Sequence, residues 1–220
     1  MSKVPVLVTG GAGYIGSHAV LALKDAGWPV AVIDDLSNGT RHVVPEGVPF
    51  FEGNIADRTL VNRIFKDQQI GAIMHFAGSI VVPESVEQPL RYYANNTVAS
   101  HALISAAVEA GVKHILFSST AAVYGAPKRV PIDEEDPKAP INPYGASKLM
   151  TERIWINEPD GGAPPQLVTS AAAAAFRRDP RFLPLAQRTG LLAYWRSGRA
   201  PDFCRPPHPE PVCRQLLKRG

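Results

Sequence analysis

Val4-Pro5-Val6-Leu7-Val8-Thr9-Gly10-Gly11-Ala12-Gly13-Tyr14-Ile15-Gly16 is the stretch that decides the fold. The β-branched run Val4 to Val8 predicts a buried strand, and the apolar spacing from Tyr14 to Ala26 predicts a helix, so the glycines occupy a strand-to-helix turn. Two three-glycine patterns overlap in it: Gly11, Gly13 and Gly16 as G-x-G-x-x-G, and Gly10, Gly13 and Gly16 as G-x-x-G-x-x-G. Glycine there lets the backbone turn sharply, approach a pyrophosphate and pack helix on strand, while the helix N-terminus faces the phosphates. The pattern alone also fits a glycine turn with no ligand. Its context weighs against that, because Asp34 stands 18 residues after Gly16, at the end of the next apolar run, Val30 to Ile33. A carboxylate at that place accepts hydrogen bonds from the adenosine ribose and repels a 2′-phosphate, which favours NAD over NADP. The neighbouring Asp35 reads as a solvated loop charge.

Outward from this turn the alternation continues. Val48 to Phe51 fits a third strand, and Leu60 to Lys66 fits a helix that Asp57 caps. Ala72 to Ala77 fits a strand; Thr97 to Ala110 fits a helix stopped by Gly111, followed by the strand His114 to Ser118. Strands alternating with helices of this length require a parallel sheet covered on both faces. The expected fold class is therefore α/β, a Rossmann-like doubly wound parallel sheet.

Composition narrows the function classes. With 220 residues, 45% hydrophobic and 20% charged, and no uninterrupted apolar run near the length of a membrane span, the chain reads as a soluble globular protein. The apolar stretch before Thr9-Gly10 is too short for a signal peptide, so a cytoplasmic address is expected and no membrane partner. Cys204 and Cys213 have no ligand partners at metal spacing, which argues against a zinc site or a disulfide scaffold. The net charge of +3 is uneven: residues 1–150 carry 12 Lys and Arg against 14 Asp and Glu, and residues 151–220 carry 11 against 6. The basic half shows no helical stripe and no interleaved aromatics, so nucleic acid is not an expected partner.

Near residue 154 the character of the chain changes. Residues 151–220 hold 10 prolines, including Pro164-Pro165 and Pro206-Pro207, with an Ala171 to Ala175 run before Arg177-Arg178 and only a weak apolar run at Leu191 to Trp195. Proline removes backbone donors, so this stretch is expected to add no regular element to the sheet. The expected organisation is an incomplete NAD-binding domain over 1–153 and an irregular tail over 154–220, either a flexible linker or a stretch translated in another frame. Such a tail is expected to make few buried contacts, and the chain as it stands to bind NAD weakly and to be inactive.

The second chemical signal is Tyr144-Gly145-Ala146-Ser147-Lys148. On a helix, i and i+4 share a face, so phenol and ammonium can meet. An unperturbed phenol is about 0.1% ionised at neutral pH, so using it as a base costs roughly 4 kcal/mol. A cation about 4 Å away at an effective dielectric near 20 offsets roughly the same amount. Taken alone, Tyr and Lys at this spacing after Pro143 also fit a plain helix surface. The hydroxyl run Phe117-Ser118-Ser119-Thr120 lies just past a strand, where open α/β sheets place ligands, although Ser and Thr there also serve as helix caps.

These segments together resemble the extended short-chain dehydrogenase/reductase family, and within it the UDP-glucose (UDP-galactose) 4-epimerases. The likeness covers about residues 3–153. It rests on Thr9 to His18, His75-Phe76-Ala77-Gly78, Pro83-Glu84-Ser85, Tyr92-Tyr93-Ala94-Asn95-Asn96, Phe117 to Gly125 and Asn142 to Lys148. The resemblance implies NAD-mediated inversion at C4 of a UDP-hexose through a 4-keto sugar. It gives Tyr144 the role of base, Lys148 that of holding the nicotinamide ribose and tuning Tyr144, and Thr120 that of bonding the same sugar hydroxyl. Gly10, Gly13, Tyr14, Ile15, Gly16, Asp34, Asn38, Asn54, Ile55, Phe76, Ala77, Gly78 and Asn95 match positions lining the cofactor. A UDP-sugar partner and a homodimer, packed through the Thr97 to Ala110 helix and the one beginning near Tyr144, are implied as well. Ala121 and Ala122 stand where dehydratases of the family place an acidic pair, which favours epimerisation. Gly53-Asn54 replaces the family's Gly-Asp, Ile80 replaces a lysine, and the family's later strand has no counterpart in residues 154–220. Another NAD-dependent nucleotide-sugar oxidoreductase and a non-catalytic NAD-binding fragment remain as alternatives.

Overall fold

The computed structural model describes residues 3–128, 132–133, 135–156 and 166–169, the last four and residues 155–156 by backbone alone. Strands β1 (Val6–Thr9), β2 (Val30–Asp34), β3 (Phe50–Glu52), β4 (Ala72–His75), β5 (His114–Phe117) and β6 (Gln166–Thr169) form one sheet, in the order β3-β2-β1-β4-β5-β6. Every neighbouring pair is parallel. Helices α1 (Tyr14–Asp25), α2 (Arg58–Asp67), α5 (Ala99–Glu109) and α6 (Pro143–Ile156) connect or follow the strands, with two short helices, α3 (Val82–Glu87) and α4 (Pro89–Tyr92), between β4 and α5.

Strand side chains alternate across the sheet, and the two faces sort cleanly. Leu7, Ile33, Ile73 and Ile115 pack with Val61, Ile64 and Phe65 of α2 and with Leu103, Ile104 and Ala107 of α5. Val6, Val8, Val32 and Met74 pack with Ala19, Val20 and Leu23 of α1 on the opposite face. The doubly wound expectation therefore holds. So does the cap, since the Asp57 carboxylate accepts from the Leu60 N–H at 3.0 Å.

Three features depart from the sequence reading. The helix expected from Thr97 begins as α-helix at Ala99, after a π-turn over Tyr93–Val98, and α3 and α4 were not anticipated. Both short helices have proline in the first turn, where its missing N–H is harmless. The third departure corrects the tail. Helix α6 runs past residue 153 to Ile156, and Gln166–Thr169 pairs with β5 in register His114↔Gln166 to Phe117↔Thr169. The stretch 154–220 is thus not wholly irregular. A four-residue strand carries too little periodicity to stand out, and at a sheet edge it pairs on one side only, so nearby prolines do not forbid it. The rest of the expected tail, with Leu191 to Trp195, Cys204 and Cys213, lies outside the described residues.

Candidate active site

Parallel pairing fixes which strand ends meet. Thr9 pairs with Ile33 and with His75, and His75 with Phe117, so β1, β4 and β5 end in one row, and β2 ends beside them at Asp34. The crevice beyond such a row is where open α/β sheets hold ligands.

The glycine turn lies at one side of it. Gly13 is the N-cap of α1 and has no side chain to cap the helix, so first-turn N–H groups are left for a ligand. A side chain at Gly16 would put a Cβ 2.1 Å from the Gly10 carbonyl oxygen, so turn and helix can touch only with hydrogen there. Gly10 has φ +68°, and a Cβ on it would lie 2.6 Å from the Ala77 nitrogen, which presses the turn onto the Phe76-Ala77-Gly78 segment. Asp34 is buried; its Oδ2 accepts from Ala12 N–H and its Oδ1 from Leu36 N–H, each at 2.9 Å. The Asp34 carboxylate is therefore aimed by the glycine turn on one side and by the loop after β2 on the other. Tyr14 and Ile15 are exposed on the first turn of α1, and Asn38 is exposed in the loop after β2. The Asn54 amide oxygen already accepts from Ala56 N–H at 2.9 Å, while its amide nitrogen reaches Asp35 at 3.4 Å; Ile55 beside it is buried.

The centre of the row is polar and fully engaged. His75 has Nδ1 2.6 Å from Thr9 Oγ1 and Nε2 2.8 Å from Ser100 Oγ. Ser100 spends its single proton on the Asn96 carbonyl, so it must accept from Nε2–H, which leaves Nδ1 to accept from Thr9. Thr9 Oγ1 in turn accepts from Ala77 N–H at 3.3 Å. Burial, reinforced by the Lys148 charge, pushes the His75 pKa down to about 3, so the imidazole is neutral at working pH. Asn96 continues the chain: its amide oxygen accepts from Ser79 N–H at 2.7 Å, and its amide nitrogen donates to the Ser79 carbonyl at 2.9 Å and to Ser147 Oγ at 3.1 Å. Asn95 reaches Ser79 Oγ at 2.9 Å, and Thr97 reaches the Ser147 carbonyl at 3.2 Å. Three consecutive residues of the π-turn therefore engage the loop after β4 and helix α6.

Helix α6 carries Tyr144 and Lys148. Lys148 is buried; its ammonium donates to the Ser118 carbonyl at 3.2 Å and lies 4.8 Å from the centroid of the Phe117 ring. Desolvation pushes its pKa down to about 8. The Tyr144 ring meets that of Tyr92 edge to face with centroids 6.5 Å apart. Tyr92 is itself fixed, accepting from Val81 N–H at 2.9 Å, with the Val81 carbonyl and Glu84 Oε2 each 2.7 Å from its hydroxyl. Burial and the Glu84 contact push the Tyr92 phenol up to about 12, so it stays neutral. Among the described residues, no hydrogen bond joins Tyr144 to Lys148 or to Thr120. Thr120 caps a 3-10 turn (Ala121–Tyr124), its Oγ1 accepting from Ala122 N–H at 3.2 Å.

This arrangement has known relatives. The model of the NAD dependent epimerase/dehydratase family matches residues 6–160. The chain belongs to that family. It is similar to the UDP-glucose 4-epimerase of Azospirillum brasilense, 60% identical over 149 residues, which make up 68% of this chain and 43% of that protein. The UDP-glucose 4-epimerase of Lactobacillus helveticus is 50% identical over 158 residues, 71% of this chain and 48% of the relative. Among solved structures, the UDP-glucose 4-epimerase of Brucella ovis in complex with NAD superposes with TM-score 0.69 at 39% identity, over 70% of this chain and 47% of that one. The enzyme from Stenotrophomonas maltophila, with bound NAD and formylated UDP-arabinopyranose, gives TM-score 0.72 at 35% identity, over 76% of this chain and 52% of that one. The chain spans about half the length of the curated relatives it matches. The family match runs past residue 153, in keeping with the observed end of α6.

The sequence reading gave no role to His75, Tyr92, Asn96, Lys138 or Glu152, and read Ser119 only as part of a hydroxyl run facing a ligand or capping a helix. Each is a polar residue whose function depends on partners 11 to 66 positions away, and spacing carries no signal of that.

Proposed function

We propose that this chain carries the NAD-binding and proton-transfer half of an enzyme that inverts C4 of a UDP-hexose, interconverting UDP-glucose and UDP-galactose. The observation that carries the reading is the pair on α6: a Tyr144 phenol with no hydrogen bond among the described residues, and a buried Lys148 that spends one donor on Ser118. The residues fit NAD. The uncapped N-terminus of α1 suits a pyrophosphate, Asp34 suits ribose hydroxyls and disfavours NADP, and Lys148 keeps donors for the second ribose. Tyr14, Ile15, Asn38, Asn54, Ile55, Phe76, Ala77, Gly78 and Asn95 would line the same cofactor.

Tyr144 takes the proton of the 4-hydroxyl and later returns it, with Lys148 stabilising the phenolate through its charge. Thr120 already accepts from Ala122, so its own proton is available to the sugar oxygen. Phe117 and the neutral His75 beneath it, with ring centroids 5.3 Å apart, place no counter-charge under Lys148. When bound, NAD would supply a reversible hydride acceptor at C4 and would not be consumed. The protein acts in the cytoplasm, and two copies pair through α5 and α6.

The test is conversion of UDP-galactose to UDP-glucose with no accumulation of NADH. Accumulating NADH would instead identify a related oxidoreductase. The half-length coverage favours a second reading, in which this chain binds NAD without turnover; NAD titration with no sugar product would establish it.

A further inference from the structure

Lys148 and Glu152 stand at i and i+4 on α6, the spacing at which a lysine and a glutamate on a helix are neighbours. Both are buried, at 3% and 1% exposure, and two buried opposite charges one turn apart would ordinarily pair. They do not. Glu152 Oε1 accepts from the Ser119 hydroxyl, and Oε2 pairs with the Lys138 ammonium at 2.6 Å. Lys148 turns to the neighbouring Ser118 carbonyl and the Phe117 ring. Lys138 comes from the segment leading into α6, and its side chain is about a third exposed, at 31%.

Resting on the reading that Lys148 tunes Tyr144, we infer that Lys138 is a positioning residue: it engages the Glu152 carboxylate and so keeps Lys148 an unopposed cation for the Tyr144 phenol. The magnitudes give this weight. A unit charge about 4 Å away at an effective dielectric near 20 contributes roughly 4 kcal/mol, so a carboxylate paired with Lys148 would cancel most of what the lysine gives the phenolate. Among the described residues, no other group supplies that opposition. From β4 the neutral His75 faces Lys148, and from the α3–α4 segment the neutral Tyr92 faces Tyr144, with Glu84 behind it paired to Arg91 at 2.7 Å. Glu152 is the acid on the same helix one turn away. The two serines divide the work, Ser118 holding the lysine by its carbonyl and Ser119 holding the carboxylate by its hydroxyl.

The experiment follows the Tyr144 phenol directly in the full chain, by NMR of tyrosine labelled at Cζ, with the resonance assigned from Tyr144→Phe. Lys138→Met should raise the pH at which Tyr144 ionises by about two units, because the released carboxylate pairs with Lys148. Adding Glu152→Gln to Lys138→Met should return it to the wild-type value, and Lys138→Arg should leave it unchanged. A purely structural role predicts no such rescue, since the double variant has lost more contacts than the single one. An unmoved phenol in Lys138→Met, or a rise that persists in the double variant, overturns the inference. Lys148→Met separates the two levels: if it leaves Tyr144 unmoved, the Tyr144–Lys148 reading itself fails, whereas if it moves Tyr144 and Lys138→Met does not, only the role of Lys138 fails. Should circular dichroism show Lys138→Met unfolded, Glu152→Gln alone decides: no rise in the Tyr144 ionisation pH supports the inference, and a rise overturns it.

Discussion

The turn from Gly10 to Gly16 and the contact between the hydroxyl run and α6 are two halves of one crevice built by opposite means. The first is backbone: seven consecutive residues, with hydrogen where a Cβ would collide and an uncapped helix end at its centre. The second is side chains, joined across 33 residues in Ser119–Glu152 and across 51 in Asn96–Ser147. A site made of backbone tolerates almost no change of volume at its glycines. A site made of side chains can lose one chemical group and keep its shape.

Gly16→Val breaks the backbone half most severely. With a Cβ 2.1 Å from a carbonyl oxygen, turn and helix must separate, and we expect a loss of several kcal/mol in stability together with NAD binding, read by urea unfolding and by fluorescence titration. Survival of near-native NAD affinity would show that the turn is not the phosphate site. Tyr144→Phe tests the other half. Turnover in a form extended to the length of the relatives should fall by about 10²- to 10⁴-fold, while NAD affinity changes by less than about twofold. Retention of more than about a tenth of the activity would remove Tyr144 from the role of base.

Lys148 gives the comparison a pH signature. Its pKa is about 8 in the fold against about 10.4 in an unfolded chain, so between those values the unfolded state binds more protons and stability rises with pH. The burial penalty is full below pH 8 and is relieved as the folded lysine loses its proton, by roughly 3 kcal/mol over that window. Urea midpoints should therefore climb more steeply from pH 8 to 10 in the wild type than in Lys148→Met; parallel curves would mean that the ammonium is not desolvated. On the backbone side, Asp34 should hold NAD at least about tenfold tighter than NADP in paired titrations, and Asp34→Ala should narrow that gap. The smallest effect is expected at Asp57→Ala: loss of this cap, whose N–H also meets the Asn54 carbonyl at 3.0 Å, should cost about 1 kcal/mol in urea unfolding and change NAD affinity by less than about twofold.

Much of the backbone half was legible because its physics is local. The strand Val6–Thr9, the turn, α1 and the acid ending β2 follow from spacing, since each is decided by residues adjacent in the chain. The helix after β4 was legible only from Ala99 onward, because the π-turn before it is set by Asn95, Asn96 and Thr97 reaching Ser79 and Ser147, far off in sequence. Strand β6 escaped notice for the complementary reason: four residues beside prolines carry almost no pattern, and their pairing with β5 is a tertiary fact.

Sequence by itself determined the α/β class, the glycine turn with Asp34, and the presence of Tyr144 and Lys148 at one helical turn's spacing. Those follow from local sterics and periodicity, which act between near neighbours. Tertiary structure alone decided the charge state around them: that His75 is neutral with its proton on Nε2, that Lys148 lies buried over Phe117, and that Glu152 turns to Lys138 and Ser119. Desolvation and hydrogen-bond direction depend on which distant groups share a low-dielectric space, and only the folded sheet brings those groups together.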